Sequence, residues 1–125
     1  MTNPLLGGGQ QRGGQLVPHS HDLGTIEAPW NIPKTVFRYM ASVPVTIKGP
    51  VVYCGDIITP SGAAVTVEAW MNGAFVGEFV LARGKNPFNA IGLKALDKIE
   101  LRIVTKGAGD PAPATVSDLW ILFCT

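Results

Sequence analysis

Charged side chains are scarce in this chain, and their scarcity excludes some partners. Only 15% of the 125 residues are charged, with a net charge of +1, whereas a soluble domain typically carries about 25%. The basic residues are scattered and alternate with acidic ones, so no stripe of them could neutralise a row of phosphates. We therefore expect no nucleic-acid partner.

Long apolar runs and a secretory leader are also missing from the sequence. The longest apolar run, Leu119–Cys124, is far shorter than the roughly 20 residues that span a bilayer. The first residues lack the basic stretch and apolar segment of a signal peptide. We therefore expect no membrane partner and synthesis in the cytoplasm of a host cell.

Catalytic and metal-binding patterns are weak. The only histidines, His19 and His21, lie near the N-terminus, and neither a G-x-S-x-G motif nor a phosphate-binding loop is present. On an extended segment both imidazoles point to one side, so three copies around an axis could hold a metal; a polar turn is the simpler reading. We expect no enzymatic activity, no cofactor and no metal, with His19 and His21 as the only metal candidates.

The two cysteines, Cys54 and Cys124, lie far apart in apolar segments. They lack the C-x-x-C spacing of a metal or redox motif. Two reduced core thiols and a single disulfide between the segments both fit this pattern.

Residues 1–34 differ in composition from the rest of the chain. They are rich in Gly, Pro and Gln and have no periodic apolar pattern, so they cannot form a core alone. We predict an extended N-terminal arm over residues 1–34 and a β-sandwich domain over residues 35–125. The arm's candidates for anchoring a partner are its larger apolar residues: Leu5, Leu6, Leu16, Val17, Trp30 and Ile32.

Residues 35–125 show the alternation and turn spacing of a β-sandwich. Asn72-Gly73 is a strong signal for a two-residue hairpin turn. Residues 83–89 contain Gly, Asn and Pro and are predicted to form a connection. The fold class that follows is an all-β, jelly-roll-like antiparallel sandwich. The predicted strands are Thr35–Ala41, Val43–Lys48, Val51–Ile58, Ala64–Met71, Ala74–Ala82, Asn89–Leu96, Lys98–Thr105 and Val116–Cys124.

The last predicted strand is apolar on both faces, which indicates a central position in its sheet. Only one face of a strand meets the core of a small sandwich, so Trp120 and Leu122 need a second cover. A homotrimer interface would supply it; the arm's Trp30 and Ile32 are the alternative. We expect the homotrimer. Trp70 and Tyr53 are separate candidates for stacking against a sugar ring.

Residues 92–104, GLKALDKIELRIV, and the final strand WILFC resemble the closing strands of small trimeric jelly rolls. These include the C1q-like and tumour-necrosis-factor-like domains and the head-decoration and fibre-tip proteins of bacteriophages. The resemblance implies a structural protein on the capsid surface of a virion. Among such structural proteins we favour a decoration (cement) protein, which would clamp neighbouring capsid subunits through its arm and its trimeric body. A glycan-binding or receptor-binding module of a tail fibre or spike is the alternative.

Overall fold

The computed structural model describes residues 16–125 and forms nine strands within them. Leu5 and Leu6, predicted as anchors, lie outside these residues. The strands are β1 (Pro18–Ala28), β2 (Lys34–Met40), β3 (Val45–Ile58), β4 (Ala63–Met71), β5 (Ala74–Val80), β6 (Gly84–Pro87), β7 (Ile91–Leu93), β8 (Lys98–Gly107) and β9 (Ala114–Cys124).

The strands form two antiparallel sheets around a common core. One sheet has the order β1-β9-β3-β6, with β7 also paired to β3, and the other has the order β2-β8-β4-β5. The chain crosses between the sheets at every connection except β4–β5 and β6–β7, and it brings its last strand next to its first. This is the order of a jelly roll, in which eight strands form two Greek keys, with β6 and β7 sharing one strand position. The predicted fold class is confirmed.

The core is built by the alternation of β8 and β9. Ile99, Leu101 and Ile103 of β8 point inward and are 3% exposed or less, as are Leu119 and Ile121 of β9. Burying each such side chain contributes about 1.5–3 kcal/mol before the cost of ordering the chain. The position of β9 between β1 and β3 confirms that the last strand is central.

The segment predicted to be an arm contains a strand of the sandwich. β1 pairs with β9 from Pro18 opposite Cys124 to Ala28 opposite Ala114. Ile26 and Ala28 reach the core, with 8% and 0% exposure. The predicted arm is therefore too long: residues 18–28 lie inside the sheet and residues 29–33 connect it to β2.

Three other predicted segments differ in the structure. The predicted strands Val43–Lys48 and Val51–Ile58 merge into one strand, β3, which begins at Val45. They merge because Gly49 takes a φ of 55° and absorbs a register shift without ending the pairing. Gly84–Pro87, predicted as a connection, pairs with β3 as β6.

The Asn72-Gly73 turn has the predicted geometry. It joins Met71 to Ala74, which lie opposite each other, and its two residues have φ values of 51° and 83°. Positive φ at both positions is the requirement of a type I′ turn.

Replacing Gly73 with Val should lower the free energy of unfolding by about 1–3 kcal/mol, because a β-branched residue is strained at positive φ. Chemical denaturation of both proteins measures the difference. Gly77→Val is the matched control on the same hairpin, since a Cβ there meets nothing within 4 Å. Equal effects of the two substitutions would contradict the turn assignment.

Candidate interaction surfaces

An apolar patch lies on the outer face of β3 and β9, the two central strands of the β1-β9-β3-β6 sheet. Tyr53 lies opposite Trp120, and Val51 lies opposite Leu122. These four residues and Cys124 are half-buried, while their neighbours Val52, Ile121 and Phe123 point into the core. We call Val51, Tyr53, Trp120, Leu122 and Cys124 the β9 patch. The two predicted interface residues, Trp120 and Leu122, are thus brought together with Tyr53.

A tight contact between β3 and β9 orients Trp120 in this patch. Asp118 has a φ of 54°, and its carboxylate accepts a hydrogen bond from the indole N–H of Trp120 at 2.7 Å. A Cβ on Gly55 would lie 2.7 Å from the Asp118 Cβ and 2.9 Å from Oδ2. Only glycine fits at residue 55 while Asp118 keeps this position.

The residues predicted as arm anchors have different environments. Leu16 and Val17 are 53% and 55% exposed, and Val17 exchanges two backbone hydrogen bonds with Thr125, at 2.9 and 3.0 Å. Trp30 is half-buried and bridges to Thr105 of β8, whereas Ile32 is 69% exposed. The alternative in which Trp30 and Ile32 cover the outer face of β9 is therefore wrong, because Trp30 pairs with the opposite sheet.

Both histidines point to the inner side of β1, where they pack against aromatic rings. The His19 ring stacks on Phe123 with centroids 4.7 Å apart, and His21 lies 5.2 Å from the ring of Phe37. The hydroxyl of Thr125 lies 2.9 Å from His19 Nε2. Within residues 16–125, no group of three His, Cys, Asp or Glu side chains could hold a metal ion.

Trp70 lies on the outer face of the other sheet, away from Tyr53. The Arg102 guanidinium sits 4.0 Å from the centroid of the Trp70 ring, a cation–π contact. The indole N–H donates to Glu68 at 3.1 Å. Since Trp70 and Tyr53 are on opposite sheets, the two candidate stacking residues do not form one platform.

Further polar contacts beside Trp70 link side chains of β2, β8 and β4. The Thr35 hydroxyl donates to Glu100 at 2.6 Å, and Arg102 lies 3.3 Å from the same carboxylate. These hydrogen bonds, that of Thr35 first, hold the pKa of Glu100 below its ordinary value. Lys106 of β8 lies 3.3 Å from Glu68 of β4 and 3.4 Å from Glu78 of β5, and these two glutamates are opposite each other in the sheet.

A groove opens at the edge of the sandwich between β5 and the segment containing β6 and β7. Its volume is about 350 Å³. The rings of Phe79 and Phe88 stack across it, with centroids 5.7 Å apart. We call it the side groove. Its apolar lining consists of Ala69, Val76, Phe79, Pro87, Phe88 and Ile91, and Glu78 and Asn89 are its polar side chains. No sequence pattern pointed to it, because its walls come from separate segments.

The cysteines have separate positions and are both free thiols. Cys54 is buried, and this burial raises the pKa of its thiol, which favours the neutral form. Cys124 lies on the outer face of β9, in the β9 patch. Of the two predicted alternatives, the structure has the reduced pair, but only Cys54 is a core thiol.

Comparisons with known proteins identify the fold. No family model matches the chain, and no curated protein is significantly similar to it in sequence. A crystal structure of the infectious bursal disease virus VP2 subviral particle is similar, with 14% identity and a TM-score of 0.53 over 98% of this chain and 35% of that one. The structure of the Gt strain of that virus has 15% identity and a TM-score of 0.55, over 98% and 34%.

The chain thus spans about a third of the length of the proteins that it resembles. At this level of identity the likeness concerns the jelly-roll fold. Among residues 16–125, no helix is long and apolar enough to cross a membrane.

Replacing Gly55 with Ala should destabilise the protein by about 1–3 kcal/mol, because the new methyl group overlaps Asp118. In an Asp118→Gly background the same substitution should cost much less, since the overlapping side chain is gone. Chemical denaturation of the two single variants, the double variant and the wild type gives the coupling energy. Additive effects would show that Gly55 and Asp118 are not in contact.

Acid should weaken the fold partly through Glu100. Because its folded-state pKa is lowered, its stabilising contribution is complete above its unfolded-state pKa and is lost as the pH falls through the folded value. Melting temperatures between about pH 6 and pH 3 should therefore fall less in Glu100→Gln than in the wild type. The exposed Glu27 of β1 provides the control substitution Glu27→Gln. The same pH dependence in all three proteins would contradict this role of Glu100.

Proposed function

We propose that this chain is a non-enzymatic structural protein of a virus particle, and specifically a decoration (cement) protein on the surface of a bacteriophage capsid. The jelly-roll strand order and the similarity to structures of virus particles support a structural role in a virion. The resemblance of residues 92–104 and of the final strand to phage decoration proteins favours the narrower assignment. In this role the chain clamps neighbouring capsid subunits and stabilises the shell by adding contact area.

The observation that carries this proposal is the β9 patch. Its centre consists of two aromatic side chains, Tyr53 and Trp120, and two aliphatic ones, Val51 and Leu122, on adjacent central strands. Aromatic enrichment and depletion of charge are the marks of the core of a protein–protein interface. Because all four are only half-buried, a second copy of the chain would bury them further. We propose a homotrimer built on this patch.

The N-terminal residues supply the second contact. The chain enters β1 through Leu16 and Val17, which are exposed, so the point at which the N-terminal segment joins the sandwich is on its surface. Fifteen residues can reach up to about 50 Å when extended, enough to contact an adjacent copy of the chain. A segment tethered to a docked body binds at a high effective concentration, which strengthens the clamp.

Glycan binding is less well supported by the geometry. The ring of Trp70 is contacted by Arg102, and its N–H is bonded to Glu68. Tyr53 lies beside Trp120 in the β9 patch, where self-association would cover it. Both candidate stacking residues thus have other partners in this proposal.

Replacing Leu122 with Lys should dissociate the trimer, because an unpaired charge in an apolar interface costs several kcal/mol. Sedimentation velocity of the wild type should show a trimer, and that of the variant a folded monomer. Val80→Lys is the control, since Val80 is 64% exposed on the opposite sheet, and it should remain trimeric. A wild-type protein that sediments as a monomer at micromolar concentration would refute the proposal.

A further inference from the structure

We propose that the side groove of one copy binds residues 1–15 of the neighbouring copy, with Leu5 and Leu6 as the anchoring side chains. This inference rests on the self-association proposed above and names the receptor for the N-terminal segment. Self-association through the β9 patch does not involve the side groove, and this inference gives the groove a role.

The groove has the size and chemistry to hold apolar side chains. Its volume of about 350 Å³ is at the lower end of the range for sites that bind small ligands. Phe79 and Phe88 form a stacked pair in its wall, and Val76 lies on its rim, 55% exposed. A pair of leucine side chains would remove this apolar surface from water.

The strand that borders the groove is an uncovered edge. Among the described strands, β5 pairs with β4 alone, and Glu78 is the only charged residue in its sequence AFVGEFV. Long apolar edges pair with other chains unless charges, bulges or a covering segment protect them. The edge strand β1 is better protected, with two charges, Asp22 and Glu27, and two register shifts, whereas β5 has one charge and a single register shift, which leaves Val76 unpaired. An extended segment lying along the groove would cover the edge at β5.

The positions of the two edges favour a neighbouring copy as the source of this segment. The chain enters the sandwich at β1, one edge of its sheet, and the groove lies at the opposite edge, beside β6. In a closed ring, each copy presents one surface to the copy ahead and a different surface to the copy behind. In the proposed trimer, such a ring would place the β1 edge of one copy next to the groove of the next.

The composition of residues 1–15 matches this groove. Leu5-Leu6 is the only adjacent pair of large apolar residues in the segment, and Pro4 favours an extended conformation at the residue before it. Arg12 is the only charged side chain there, and the charged side chain of the groove, Glu78, has the opposite sign. The segment thus offers one apolar pair and one cation to a groove with an apolar lining and one carboxylate, which Arg12 would share with Lys106 at 3.4 Å.

Photo-crosslinking of the full-length protein tests the proposal. With the photoreactive residue benzoylphenylalanine in place of Leu6, irradiation should give a covalent dimer on a denaturing gel. Mass spectrometry should place the new bond in the segments 76–79 or 87–91. Val76→Glu should lower the yield of this dimer about tenfold, because it puts a charge in an apolar site. Val80→Glu, at an exposed position of β5 outside the groove, should leave the yield unchanged.

Sedimentation of the same samples separates the two proposals. A trimer that gives no crosslink to the groove, or a crosslink only within one chain, overturns the groove assignment and leaves the proposed trimer standing. A monomer in sedimentation refutes the trimer itself. Equal loss of the dimer in Val76→Glu and Val80→Glu also overturns the assignment, since the effect would not depend on the groove.

Discussion

The two sheets are joined through one fully buried polar residue, Thr105 of β8. Its hydroxyl donates to the carbonyl of Ala28 at 2.7 Å and accepts from the N–H of Ala114 at 3.1 Å. Its backbone bonds to Pro29 and Asn31, at 2.8 and 3.0 Å. These four hydrogen bonds satisfy the buried polar groups at the place where the chain passes from β1 in one sheet to β2 in the other. They fix where β1 ends, where β9 begins and where the chain passes to the opposite sheet.

The positions of the β9 patch and the side groove both follow from the way Thr105 joins the two sheets. Because β1 ends beside the start of β9, it pairs along the whole of β9 and makes that strand central. The outer face of β9 then lies in the middle of a sheet, where it presents the β9 patch. The connection between β1 and β2 closes one side of the sandwich, and the side groove opens on the other, where β5 and β6 are edge strands.

Much of the fold could be predicted from the sequence, because β8, β9 and the Asn72-Gly73 hairpin follow local rules of alternation and turn chemistry. β1 could not, since His19 and His21 occupy inward positions where aliphatic residues are expected and Gly24 breaks the alternation. β6 was missed for a related reason. Its buried residue is Asn86, whose side chain bonds to the backbone of Val52, Ala82 and Gly84. Polar residues that find partners only in the folded chain do not mark a strand in the sequence.

The two surfaces also differ in how far a sequence can reveal them. Trp120 and Leu122 could be predicted as neighbours on one face because they belong to one strand, and a strand alternates by itself. The groove brings together residues from β4, β5 and the segment 87–91, and only the topology makes them adjacent. The kind of partner that each surface suits also depends on whether it lies on central strands or beside an edge strand. A patch on central strands is held on both sides and suits the rigid body of another copy, whereas a groove beside an open edge suits an extended segment.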